Sequence, residues 1–276
     1  MELAIKKDFM KSMVIKERHR MIVVDWFFCN NEMLGVKACE VAQMYFDKIV
    51  ETYNKPMAVV DIQGIAAACM MLSSNVSVRY FVYICDFQYN EEQLMEYYVH
   101  VESKLKKYRS PVPFYRYIVK ISNKSKCLKL FKLSHFLLRL CMFNSALTHE
   151  TIYELCYCVV EFASKLQNGF RYYKSPLIKS KRLHILRARV VKWCKNFLKQ
   201  YVLNLSVVDN VTEIRRVYRK LCRSDKMAIR RMITFDYIMF PNNKCVQPTR
   251  LQVDIKKRPN VSDNVTSYLL SREYIM

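Results

Sequence analysis

Apolar positions along the chain recur at helical rather than strand spacing. Leu34, Ala38, Val41, Ala42, Tyr45 and Ile49 form one stripe, the i, i+3, i+4 recurrence of an amphipathic helix. Lys37, Glu40 and Lys48 fall on its polar side. Asn54-Lys55-Pro56 ends that helix, and proline suits the first turn of the next. The following segment, 57–74, is apolar on nearly every side and carries small residues at Gly64, Ala66, Ala67 and Ala68. That pattern predicts a central buried helix which its neighbours approach closely. A short segment at 78–86 follows. Asn90-Glu91-Glu92 reads as an N-cap with first-turn acids, opening a helix over 90–107 marked by Leu94, Tyr98, Val101 and Leu105. Arg109-Ser110-Pro111-Val112-Pro113 breaks the pattern. A similar order of helices then repeats. Helices are expected at 113–123, around Leu130 to Leu140, from a cap at Thr148-His149-Glu150 to Asn168-Gly169, at 183–201 and at 211–224. After 226 the periodicity weakens and Pro241, Pro248 and Pro259 enter, which predicts an irregular, partly disordered tail. The expectation is an all-α chain of two successive helical modules. One stretch stands out: Met21 to Phe28 is apolar except for Asp25, and an acid in such a run needs a partner.

Composition supports the helical reading. Only 3 Gly and 7 Pro occur in 276 residues, too few for the frequent turns of an all-β chain. The 52% hydrophobic content is ample for a packed core. The N-terminal segment is too charged for a signal peptide, and no apolar run approaches the ~20 residues of a membrane span. A nuclear or cytoplasmic, unsecreted protein is therefore expected, with the 11 cysteines mostly buried thiols. No CxxC pair, HExxH or glycine-rich phosphate loop occurs, and the five histidines are scattered. Neither a catalytic set, a metal site nor a cofactor is expected.

Charge is distributed unevenly. Residues 1–111 hold 14 basic and 14 acidic residues; residues 112–225 hold 23 basic and 6 acidic, a local net of +17 within a total of +22. No acid occurs between Ser164 and Val208. Lys179, Lys181, Arg182, Arg187, Arg189, Lys192 and Lys195 form a candidate basic patch there, suited to nucleic acid or an acidic protein.

Four motifs in order resemble the cyclin box. Arg20-Met21-Ile22-Val23-Val24-Asp25-Trp26 resembles the family's Met-Arg-x-x-Leu-x-Asp-Trp opening. Tyr45-Phe46-Asp47-Lys48-Ile49-Val50 is similar to its aromatic/aliphatic-Asp-Arg-Phe-Leu. Gln63 to Leu72 is similar to its Val-Gly-x-Ala-Ala-x-x-x-Ala-Ser helix, and Phe81 to Asp86 to its Phe-Val-Tyr-Ile-x-Asp. The resemblance spans about 15–225 and implies two tandem five-helix cyclin folds, with an N-terminal helix at 1–17, a cyclin box at 18–110, a cyclin-like domain at 111–225 and a tail at 226–276. It also fits a virus-encoded member, given the scarcity of glycine beside abundant Cys, Met, Tyr and Lys.

The resemblance implies a regulatory subunit that binds a cyclin-dependent serine/threonine kinase and, as cyclins do, repositions its αC helix with the Lys–Glu pair. Arg20 would pair with Asp47 to brace the box. Ile22, Val23, Trp26 and Gln63 match the family's docking patch for substrate motifs, or else are plain core. The kinase face would lie at the end of the 57–74 helix and on the 90–107 helix, at Ser73, Ser74, Glu96, Tyr98 and Glu102. Here the chain departs from the family. Ser73-Ser74-Asn75-Val76 stands where cyclins carry lysine and acids, and Tyr98 stands where they carry the kinase-gripping glutamate. The alternative is a transcription factor IIB-like double fold that holds nucleic acid or transcription machinery through the basic second module. A third reading is a degenerate cyclin that only competes for partners.

Overall fold

The computed structural model describes residues 15, 17–53, 59–108, 110–122, 128–168, 181–202 and 212–234. All regular structure among them is helical. The helices are α1 (Glu17–Cys29), α2 (Asn31–Leu34), α3 (Val36–Thr52), α4 (Val59–Ser73), α5 (Val78–Ile84), α6 (Glu91–Leu105), α7 (Phe114–Ser122), α8 (Leu128–Met142), α9 (Ser145–Thr148), α10 (Ile152–Asn168), α11 (Lys181–Phe197), α12 (Thr212–Lys220) and α13 (Arg223–Thr234). A π-helical turn, Leu198–Val202, closes α11. None of these helices is long and apolar enough to cross a membrane.

In the first module α4 lies against α3 and α6, and Ile62, Ile65, Ala66 to Ala68 and Met70 are all buried. Gly64 permits the close approach of α6. A Cβ there would lie 2.5 Å from the ring of Tyr97, whose hydroxyl is held by Asp61 Oδ1 at 2.7 Å. The expected cap at Asn90 is a full capping box: Asn90 Oδ1 accepts from Gln93 N at 2.8 Å, and Gln93 Oε1 accepts from Asn90 N at 3.0 Å. In the second module α10 packs against α7, α8, α11 and α13.

The seam between the modules is made largely by side chains meeting helix ends. Asp25 accepts from Thr212 N at 2.8 Å and Glu213 N at 3.2 Å, at the start of α12. Glu40 Oε2 accepts from Tyr115 N at 2.7 Å, in the first turn of α7. Glu17 Oε1 accepts from Ser145 N at 2.8 Å, where α9 begins. Three first-module carboxyls thus satisfy unpaired N–H groups at second-module helix starts, where the helix dipole favours an acceptor. At the opposite polarity, Arg20 Nη1 and Gln43 Nε2 donate to Met142 O, the last residue of α8, at 2.9 and 2.7 Å. The partner that Asp25 needs is therefore the first turn of a helix in the other module.

Some expectations are revised. Glu40, assigned to the polar side of its helix, is fully buried, because the second module covers that side through α7. Thr148 closes the short helix α9 rather than capping α10. The expected boundary at 225/226 falls inside α13, whose Ile229 and Met232 are buried. Of the expected N-terminal helix at 1–17 only Ile15 and Glu17 lie within the described residues, and Glu17 opens α1. The tail beyond Thr234 lies outside them.

Candidate functional site

Arg20 projects from α1 into the seam. Its Nε and Nη2 donate to Asp47 Oδ1 and Oδ2 at 2.6 and 2.7 Å. Nη2 also reaches Thr148 Oγ1 at 3.3 Å, and Nη1 holds Met142 O. The fork geometry of a guanidinium suits a bidentate carboxylate. With side chains only 6% and 14% exposed, the pair is shielded from solvent.

A second buried polar group lies deeper. Glu40 Oε1 faces His135 Nε2 at 3.9 Å, too far for a hydrogen bond. Burial pushes the Glu40 carboxyl up to about 8 and the His135 imidazole down to about 3, so the pair faces off neutral against neutral near pH 7. Burial likewise raises Asp25 to about 8, although backbone N–H groups of α12 oppose the shift. Arg139 spans to Glu213 (Nη1 to Oε1, 3.2 Å) with its guanidinium 4.8 Å from the Phe28 ring. Asn31 Nδ2 and Arg216 Nε complete the Glu213 carboxylate at 3.0 and 2.6 Å. Sequence reading found Arg20 and Asp47 but missed the Glu40, His135, Arg139 and Glu213 group. Asp25, an acid in an apolar run, was the one visible signal.

The outward face of the first module has a different character. On α6, Leu94, Val101 and Leu105 face the core, while Met95, Val99 and Glu102 form an outer stripe at i, i+4 and i+7. Tyr98 is half-buried, with its hydroxyl directed at Glu102 Oε1 at 3.5 Å; Glu96 is exposed. Before α6, Tyr83 and Phe87 stand 67% and 71% exposed with rings 6.1 Å apart, edge to face. Asp86 and Phe87 both adopt the left-handed backbone, at φ 54° and 56°. This conformation is costly without glycine, and it sets a large aromatic ring in solvent. Ser73 and Ser74 turn their hydroxyls back onto Met70 O at 3.0 and 2.8 Å. Ser73 also lines a shallow cleft with Lys37, Tyr45, Leu72, Pro111 and Arg116. No hydrogen bond among the described residues joins the two serines to Glu96, Tyr98 or Glu102.

Residues 2–108 match the family model for the cyclin N-terminal domain. The first module is therefore similar to the N-terminal domain of cyclins. A viral cyclin from herpesvirus saimiri is similar in structure at a TM-score of 0.49 and 12% identity, over 75% of this chain and 87% of that one. The yeast RNA polymerase II CTD kinase CTDK-1 complex gives a TM-score of 0.48 and 12% identity, over 90% and 96%. At these scores neither structure adds to the argument. No curated protein matches the sequence.

In this module the candidate docking residues are closed. Ile22, Val23, Trp26 and Gln63 are all buried. α1 packs against α3, α4 and α12, the last fastened to it by Asp25, and Gln63 lies on α4. As the chain stands, these four are core rather than an open patch.

The basic patch also changes once α11 is seen beside its neighbours. Arg182 pairs with Glu150 at 3.4 Å and Glu154 at 3.3 Å, and Arg187 with Glu161 at 2.6 Å. Arg189 pairs with Glu150 and donates to Ala146 O. The acids that the segment itself lacks come from α10 and the turn before it, so much of the charge is internally matched. Lys192 is exposed and Lys195 half-buried. Lys179 lies outside the described residues, and Lys181 opens α11.

Proposed function

We propose that the chain is a cyclin-like regulatory subunit that binds a cyclin-dependent serine/threonine kinase in the nucleus or cytoplasm, through the surface built by α5, α6 and the end of α4. The observation that carries this reading is two exposed apolar pairs on a module that matches the cyclin N-terminal domain: Tyr83 with Phe87, on α5 and the turn after it, and Met95 with Val99 on α6. Soluble surfaces rarely leave large apolar side chains grouped in this way without a partner. The polar clamp of other cyclins is replaced here by Tyr98 and by serines bonded to their own helix. Contact would therefore depend on apolar area more than on charge, and the partner would be a kinase tolerant of that change.

The test is a pull-down of the purified chain from cell extract at moderate salt, after nuclease treatment, assayed for associated histone kinase activity. Kinase activity retained by the wild type and lost with Tyr98→Ala supports the reading. Absence of kinase activity, with nucleic acid recovered in its place, would sink it.

A further inference from the structure

Among the described residues, α12 and α13 carry a cluster of basic side chains. Residues 212–234 contain eight basic side chains (Arg215, Arg216, Arg219, Lys220, Arg223, Lys226, Arg230 and Arg231) against two acids, Glu213 and Asp225. Both acids are buried and committed. Glu213 closes the seam with Arg139 and Arg216, and Asp225 accepts from Gln167 Nε2 on α10 at 3.2 Å. Arg216 is spent on Glu213 and Glu32. Lys220 lies near enough to Glu32 to help lower its pKa. Lys226 Nζ donates to Arg219 O at 2.5 Å, closing the end of α12. Arg215 is half-buried and engaged, and Arg219, Arg223, Arg230 and Arg231 are all exposed, with no ion-pair partner among the described residues. Arg223, Met227 and Arg230 follow one line along α13, with Arg231 beside it, while Ile229 and Met232 face the core.

We propose that this arginine face binds the phosphate backbone of double-stranded DNA without sequence preference. A guanidinium presents paired donors that fit phosphate oxygens. No exposed aromatic stands on these two helices, Tyr218 being buried, so the stacking platform of a single-strand binder is missing. Met227 is the one large apolar side chain exposed there, far short of the apolar face of a helix that lies in a lipid surface. The proposal moves nucleic-acid contact away from the ion-paired arginines of α11 and is independent of the kinase reading.

The experiment is fluorescence anisotropy of a labelled 20-base-pair duplex with the full chain, titrated from 50 to 300 mM NaCl. The variant is Arg219→Gln/Arg223→Gln/Arg230→Gln/Arg231→Gln. The charge-matched control is Lys104→Gln/Lys106→Gln/Lys107→Gln/Lys120→Gln, at exposed positions outside α12 and α13. The expected result is wild-type binding whose log K falls linearly with log salt. The arginine variant should lose about 3 to 4 from that slope, the share of four phosphate contacts, while the lysine control keeps the wild-type slope. Equal slopes for both variants would overturn the proposal, as would no binding at 50 mM salt. Tighter binding to phosphatidylcholine–phosphatidylserine vesicles than to the duplex would overturn it too. Matching thermal midpoints for the three proteins exclude unfolding as the cause.

Discussion

Arg20→Ala should be among the most damaging single substitutions in the chain. The guanidinium joins Asp47, Met142 O and Thr148, and so ties α1 to α3 and to the second module. Removing it leaves the Asp47 carboxylate without its bidentate partner at 14% side-chain exposure. Met142 O keeps its second donor, Gln43, so the loss there is partial. Breaking one side of a buried pair costs about 3–5 kcal/mol. At about 2–4 °C per kcal/mol for a chain of this size, the thermal midpoint should fall by about 6–20 °C. Differential scanning calorimetry measures the shift directly. Asp47→Ala should cost a similar amount, and the double variant should cost clearly less than the sum, with a coupling of about 2 kcal/mol. Arg20→Lys should recover only part, because an ammonium cannot span both carboxylate oxygens and the carbonyl. A loss below about 1 kcal/mol for Arg20→Ala, or additive single effects, would refute a shielded bracing pair.

Further expectations test other parts of the fold. Gly64→Ala gains helix propensity but drives a methyl into the Tyr97 ring that Asp61 holds in place; the net effect should be a loss of about 1–2 kcal/mol in urea denaturation, with Tyr97→Phe easing it. Asp25 and Glu40, each raised to about 8, hold protons in the folded state that the unfolded chain releases well below neutrality. Stability from this source is fully present at acid pH and is lost as pH rises through about 8. The chain should therefore weaken by about 1–2 kcal/mol between pH 6.5 and 7.5, and Asp25→Asn should flatten that slope; a rise over the same interval would contradict it. His135, lowered to about 3, acts in the opposite sense, and its contribution fades only as pH falls below the ordinary histidine range.

What was legible in the sequence was local. The 3.6-residue stripes located α3, α4, α6 and α10 because each must bury one face or, for α4, all of it. The N-cap at Asn90 was readable because the cap side chain and the N–H that donates to it lie three residues apart. The seam was not readable, because its partners are distant in sequence: Asp25 meets Thr212 across 187 positions and Glu40 meets Tyr115 across 75. The same limit explains the basic segment. Arg187 looked unmatched along the chain, yet Glu161 lies beside it on the neighbouring helix. Ile22 and Trp26 read equally as core or docking surface in the sequence, because the helices packed on α1 include α12, which starts 187 positions after Asp25.

The most direct test of the central claim is calorimetric titration of the purified chain against a panel of recombinant cyclin-dependent kinases, comparing wild type with Val99→Asp. Val99 is 58% exposed on the outer stripe of α6, so an acid there should leave the fold intact while desolvating poorly in an apolar contact. The expected result is saturable binding to at least one kinase, weakened about tenfold or more by Val99→Asp, a loss of about 1.4 kcal/mol, at an unchanged thermal midpoint. No binding across the panel, or binding indifferent to Val99→Asp, would contradict a kinase-binding role for this face of the first module.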